Sequence, residues 1–190
     1  MFEEALIDIL LRLDAARSQA LLDDCMLIGA LAVGTWGIPR STDDIDFAAV
    51  TSDPAKLAQV IGGEYKVGGP GDPLRGVIHT SAGVVLVQLV LLPHRLNQIV
   101  FADQGAIDLS GRKVPIVSWR SLVILKLYAG APQDQIDAKG ILDVQKPTVE
   151  DLQGLKQIAA SLGLKLDFEA IVGKLPPKMS ELKSGCKKRA

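Results

Sequence analysis

Residues 26–50 read MLIGALAVGTWGIPRSTDDIDFAAV, and this stretch decides the fold. An apolar run, Met26-Leu27-Ile28, ends at Gly29, and small residues continue to Gly37. A polar turn follows, Pro39-Arg40-Ser41-Thr42-Asp43, and then Asp44-Ile45-Asp46-Phe47-Ala48-Ala49-Val50. The pattern predicts a strand, a glycine turn, a short helix, a loop and a second strand. Alternate side chains of a strand share a face, so Asp44 and Asp46 project together with Ile45 buried behind them. Two adjacent carboxylates raise each other's pKa unless a cation sits between them. Oxygen donors so placed suit a hard cation such as Mg²⁺, which takes one or two carboxylates plus substrate phosphates.

Gly29-Ala30, Gly37, Arg40, Thr42, Asp44, Ile45 and Asp46, at these spacings, resemble the signature of the nucleotidyltransferase superfamily, whose fold is shared with DNA polymerase beta. The pattern is most similar to the bacterial branch of minimal nucleotidyltransferases and AbiEii-like toxins. A lone Asp-x-Asp is usually a solvated pair or a helix cap. Joined to the glycine turn and to Arg-x-Thr, it becomes specific. The resemblance directly covers about 25 residues and, more loosely, residues 84–140. It implies an α/β fold: a small mixed sheet of nucleotidyltransferase topology flanked by helices, with a helical C-terminal region.

The resemblance also assigns roles. Asp44 and Asp46 would hold Mg²⁺ or Mn²⁺ on the triphosphate of an NTP. Gly29 and Ala30 would let backbone N–H groups approach the phosphates, where a side chain would block them. Arg40 and Thr42 would orient the loop or touch phosphate. In the family, a strand corresponding to Val84–Leu92 carries a third acid; here Gln88 is the best match to that position. An amide oxygen ligates a hard cation weakly, brings no charge and cannot serve as a base. Transfer is then expected to be slow, or to depend on another acid such as Asp103 or Asp108. Read without the family, Gln88 is simply a core amide that must find a partner.

A second signal lies in Leu122, Lys126, Ala129, Asp134 and Asp137, which resembles the branch's Leu-x-x-x-Lys-x-x-Ala followed by Asp-x-x-Asp. The arginine often found between the two parts is replaced by Ala131-Pro132-Gln133. Lys126 is placed near the nucleotide phosphates, where it would offset charge on the leaving pyrophosphate. Its plainer reading is a lysine whose stem packs while its head reaches water. Asp134 and Asp137 share a helix face and either orient Lys126 or favour a helix N-terminus.

Length and composition set the bounds. The chain has 190 residues, which fits one domain or one domain with a helical extension. The division predicted is a core over 1–117 and a helical region over 118–190 packed on it. Hydrophobic residues are 48% and charged residues 23%, so a sizeable core is expected and disorder is not. Aromatics are only 4%, so that core must be aliphatic. A net charge of −1 argues against a generally basic nucleic-acid surface. Cys25 and Cys186 have neither metal-ligand spacing nor a disulfide framework, and Cys25 reads as a small buried hydrophobe. The acidic N-terminus is unlike a signal peptide and no apolar run reaches about 18 residues, so a cytoplasmic chain without a membrane span is expected.

Along the rest of the chain, helices are predicted over 2–23, 54–61, 96–104 and 119–130, then from Gln133 and from Thr148, with a last one over 167–174. Strands are predicted at Tyr65–Val67, Arg75–Thr80, Val84–Leu92 and Lys113–Val117. The last is expected at a sheet edge because it contains Pro115. Gly68–Pro73 reads as a connecting loop, and His79 and His94 read as structural. Lys178–Ala190 is a basic tail whose Lys187-Lys188-Arg189 is either a solvated end or an RNA contact.

The functional expectation is metal-dependent transfer of a nucleoside monophosphate from an NTP to an acceptor hydroxyl on RNA, protein or a small molecule. The alternatives are a catalytically inactive nucleotide-binding or protein-interaction module of the same fold, and a tRNA-modifying toxin.

Overall fold

A computed structural model describes residues 1–63 and 72–173. The expected strand Tyr65–Val67, most of the glycine-rich loop, Cys186 and the basic tail lie outside the described residues.

The first helix, α1 (Phe2–Ser18), buries Leu6, Ile9, Leu10, Leu13 and Ala16 along one face, and Glu3 and Glu4 sit in its first turn. It ends five residues before the predicted limit. Ala20 adopts a left-handed backbone (φ 56°), and Leu21 N–H donates to Ala16 O, which closes the helix. The stretch read as decisive then follows as expected: β1 (Asp24–Leu27), α2 (Gly29–Thr35) and β2 (Asp44–Val50). Next come α3 (Pro54–Val60), β3 (Leu74–Thr80), β4 (Gly83–Leu91), α4 (His94–Ala102), β5 (Gln104–Leu109) and β6 (Arg112–Val117). Four helices complete the described chain: α5 (Trp119–Ala129), α6 (Pro132–Gln145), α7 (Val149–Ser161) and α8 (Lys165–Val172).

The helix starts obey capping chemistry. Asp53, before Pro54, accepts from Lys56 N–H, and Ser118 accepts from Ser121 N–H. At α7, Thr148 accepts from Asp151 N–H while the Asp151 carboxylate accepts from Thr148 N–H. The shorter aspartate therefore completes a capping box that the sequence pattern alone left without its usual fourth residue.

Six strands form one sheet in the order β3-β4-β2-β1-β6-β5. β1 pairs antiparallel with β2, β2 parallel with β4, and β3 antiparallel with β4. This mixed sheet with flanking helices bears out the expected fold class. One face of β3 and β4 buries Leu74, Ile78, Val85, Val87 and Leu89, which join Ile9, Leu13, Leu57 and Ile61 in a single hydrophobic cluster. The only aromatics among the largest fully buried side chains are Phe47 and Phe168, so the core is aliphatic as the composition requires.

Two expectations fail here. Residues 104–109, of which Gln104 is expected to end a helix and the rest are given no element, form a strand, and β5 is the sheet edge. The strand containing Pro115 is therefore internal, lying between β1 and β5. Proline is tolerated because β1 pairs with β6 only at Leu27–Ile116, while β5 pairs along its whole length. The β5–β6 hairpin turns through Ser110 (φ 51°) and Gly111 (φ 83°), the two left-handed residues that a tight hairpin turn needs.

Candidate active site

β2 carries the acid pair. Ile45 is fully buried, and Asp44 and Asp46 flank it on the opposite face, half-buried. Their location is set largely by backbone. Ile28 N–H donates to Asp46 O at 2.9 Å, joining the end of β1 to β2. Gly29 follows with a left-handed φ of 66°. A Cβ at Gly29 would stand 2.0 Å from Asp46 Oδ2, so the carboxylate lies directly on the bare glycine. Position 29 must be glycine both for its conformation and for this contact.

The two acids have different surroundings. Asp44 accepts from Thr42 Oγ1 at 2.5 Å and from the Gln88 amide nitrogen at 2.6 Å. Among the described residues, Asp46 has no such hydrogen-bond partner. Burial, and then the charge of Asp44, push its carboxyl up to about 6, with Lys126 acting weakly in the other direction. Asp46 is thus a carboxylate whose charge is disfavoured by its surroundings, with unmet demand for positive charge.

Gln88 lies beside the pair, in register with Asp46 across the parallel β2–β4 ladder. Its amide faces Asp44 as a donor, so the core-amide reading and the third-acid alignment meet in one place. Neither acid expected to substitute for it lies in this place. Asp108 sits in the β5–β6 hairpin at the far edge of the sheet, bonded to Gly111 N–H and beside Lys113. Asp103 caps the end of α4 and lines a separate cleft with Arg95 and Arg120. The expectation that either supplies the missing acid is therefore incorrect. Among the described residues, no three His, Cys, Asp or Glu side chains form a metal-binding group.

A cleft of about 630 Å³ opens beside the acids. One wall holds Gly29, Asp46 and Gln88; Val90–Pro93 form the floor; Leu122, Leu125, Lys126, Tyr128 and Asp134 form the other wall. Lys126 Nζ lies 2.8 Å from Asp134 and 2.9 Å from Asp137. Asp137 is 1% exposed and also takes Arg40 Nη1 at 2.5 Å. Gln133 donates to the same carboxylate at 3.1 Å. Burial opposes ionisation of Asp137, but hydrogen bonds from Lys126, Gln133 and Arg40 outweigh it and hold the carboxyl below the usual range. The loop before β2 and the helix α5 are therefore joined through one acid on α6, which sequence reasoning treated as a helix-end residue or an aid to Lys126. The Arg40 partnership, spanning 97 positions, carries no local sequence signal.

The structure thus brings Gly29, Ala30, Asp44, Asp46, Gln88 and Lys126 to one cleft and its margin. Arg40 and Thr42 order the loop that leads into β2, through Asp137 and Asp44 respectively. His79 is exposed on β3, not a core residue, and Cys25 is buried, with burial pushing its thiol up to about 11. No described helix is long and apolar enough to cross a membrane.

No family model and no curated protein matches the sequence. Solved structures do match. An antigenic nucleotidyltransferase-like protein from Paracoccidioides brasiliensis aligns over 90% of this chain and 97% of its own, at 16% identity and a TM-score of 0.51. The antibiotic-resistance factor ANT(2'')-Ia aligns over 88% and 96%, at 14% identity and a TM-score of 0.49. The first of these carries the assignment: by sheet order, helix placement and this likeness, the chain has a nucleotidyltransferase-like fold.

Proposed function

We propose that this protein transfers a nucleoside monophosphate from an NTP, bound with Mg²⁺ or Mn²⁺, to an acceptor hydroxyl. The observation that supports this reading most is the pair Asp44 and Asp46 on one face of β2, with Asp46 opening on the cleft and left uncompensated. The donor set is oxygen-rich and negatively charged, which fits a hard divalent cation. Such a cation, when bound, neutralises phosphate charge and lowers the barrier to displacement at phosphorus.

The chain's own residues have separable tasks. Asp44 and Asp46 would hold the cation. Thr42 and Gln88 fix the Asp44 carboxylate. Gly29 and Ala30 present side-chain-poor backbone beside Asp46, so a triphosphate can approach closely. Lys126 faces the same cleft and offsets charge on the departing pyrophosphate. The acceptor oxygen forms the new bond to the α-phosphorus, the bond to pyrophosphate breaks with its electrons, and the hydroxyl proton passes to water.

Gln88 favours a second reading, in which the protein binds nucleotide without transferring it. Its amide cannot take a proton from the acceptor, and Asp134, the acid on the opposite wall of the cleft, is paired with Lys126. The two readings separate in one experiment: labelled NTPs are incubated with cell RNA, protein and small hydroxyl compounds. Transfer by the wild type, reduced at least ~10³-fold in the Asp44→Ala/Asp46→Ala double variant, supports the enzyme. Mg²⁺-dependent NTP binding without label supports the module. Equal NTP binding by wild type and double variant would sink both.

A further inference from the structure

The face that presents the acid pair continues beyond the cleft. Strand register places Asp46 opposite Gln88, and Gln88 opposite Arg75. The next row is Asp44, Leu86 and Val77. Residues directly opposite on neighbouring strands share a face. Exposure agrees: Leu74, Gly76 and Ile78 are buried, whereas Arg75, Val77 and His79 are exposed. Strands lie about 4.8 Å apart, so the Arg75 and Asp46 Cα atoms are roughly 10 Å apart along one row.

Three features make this row chemically directional. Neither β3 nor β4 contains an acid. The Arg75 guanidinium has no hydrogen bond or ion pair among the described residues; Arg95 has none either but lies on α4 in the separate cleft, and Arg12, Arg17, Arg40, Arg112 and Arg120 each have a carboxylate partner. On the other side of Asp46 stand Gly29 and the start of α2, the backbone assigned above to the triphosphate. Among the described residues, a molecule with a hydroxyl at the Asp46–Gln88 row therefore finds open sheet toward β3, where it meets an arginine flanked by exposed Val77. Neither β3 nor β4 offers a carboxylate to a polycationic acceptor. A phosphate finds a planar donor fork suited to bidentate binding.

We propose that the acceptor carries a phosphate and that Arg75 is the specificity residue that binds it. This deepens the transferase reading and rests on it. The acceptor hydroxyl attacks the α-phosphorus of the NTP, pyrophosphate leaves with the bonding electrons, and the acceptor's own phosphate is unchanged.

The test uses the full chain with Mg²⁺, labelled NTPs and four acceptors: ribose 5-phosphate, a short oligoribonucleotide with a free 3′-hydroxyl, ribose and an aminoglycoside. Labelling of at least one of the first two is expected, and which of them is labelled better identifies the phosphate source. Arg75→Ala should raise the acceptor KM at least ~10-fold and leave NTP affinity unchanged, with partial rescue by Arg75→Lys. Lys113→Glu, at the opposite sheet edge, is the charge control and should change nothing. Preferred labelling of ribose or the aminoglycoside, or an unchanged KM in Arg75→Ala, overturns the proposal. If the wild type labels nothing, equilibrium binding decides it. Binding of the oligoribonucleotide or ribose 5-phosphate that Arg75→Glu weakens at least ~10-fold supports the phosphate site even though transfer has failed. No binding, or binding indifferent to Arg75→Glu, overturns it.

Discussion

Lys126 and Arg40 meet their counterions inside the protein, whereas Asp44 and Asp46 do not. On the α5–α6 side of the cleft, two cations share Asp137, and Lys126 also contacts Asp134. Two positive and two negative charges cancel there. On the β2 side, two acids have only a hydroxyl and an amide for company, both directed at Asp44. The first cluster resembles an ordinary partly buried ion network, complete by itself. The second is incomplete, and what it lacks is positive charge. The same cleft thus contains a self-sufficient set of charges and a set that calls for something from outside.

The largest expected effect that tests this contrast, after the double alanine variant, falls on the complete cluster. Asp137→Ala leaves Arg40 and Lys126 without their common buried partner and should cost about 3 kcal/mol in denaturant unfolding. Asp134→Ala leaves Lys126 its contact with Asp137 and should cost nearer 1 kcal/mol. Equal losses would show that Asp137 is not the shared anchor.

Next comes pH. Folded, Asp46 keeps its proton up to about pH 6, whereas in the unfolded chain it releases it near pH 3.9. The group therefore favours the folded state below about pH 4, and that contribution disappears as the pH rises through 6. In metal-free protein, Asp46→Asn should remove this loss and be more stable than wild type at pH 7 by about 2 kcal/mol. Adding Mg²⁺ should stabilise the wild type above pH 6 and leave the variant unmoved. A Mg²⁺ response that is the same in both proteins would remove Asp46 from the ligand set.

The smallest effect sharpens the incomplete cluster. Gln88→Glu adds a third carboxylate against Asp44, so the metal-free protein should lose about 1 kcal/mol by repulsion. The gain in Tm on adding Mg²⁺ should then exceed that of the wild type by a few degrees. If Gln88→Glu also transfers faster, the amide is what limits catalysis. If it binds metal more tightly with no faster transfer, the limit lies elsewhere.

Sequence resolved the incomplete cluster far better than the complete one. Gly29, Asp44, Ile45 and Asp46 belong to one local strand–turn–strand pattern, and strand alternation alone predicts the shared face of the acids. Gln88 was legible as the odd polar residue in an aliphatic strand, but its donor role toward Asp44 depends on β2 and β4 being neighbours. Arg40 and Asp137 meet only because α6 folds back over the loop before β2, and nothing local encodes that. β5 was missed because its buried side alternates Gly105, Ile107 and Leu109, a weak apolar signal next to a helix end. The Ser110-Gly111 turn was the available clue, and it outweighs the edge argument from Pro115.

The contact between Gly29 and Asp46 has a consequence for recognising distant kin. The carboxylate is seated by main chain, through a residue with nothing beyond its α-carbon, so side chains around it are free to drift without dislodging it. Overall resemblance can then fade to the level of chance while two positions stay locked together. A search keyed to that coupling, a left-turned glycine ending one ribbon and an acid beside it on the next, would find relatives that whole-length comparison passes over.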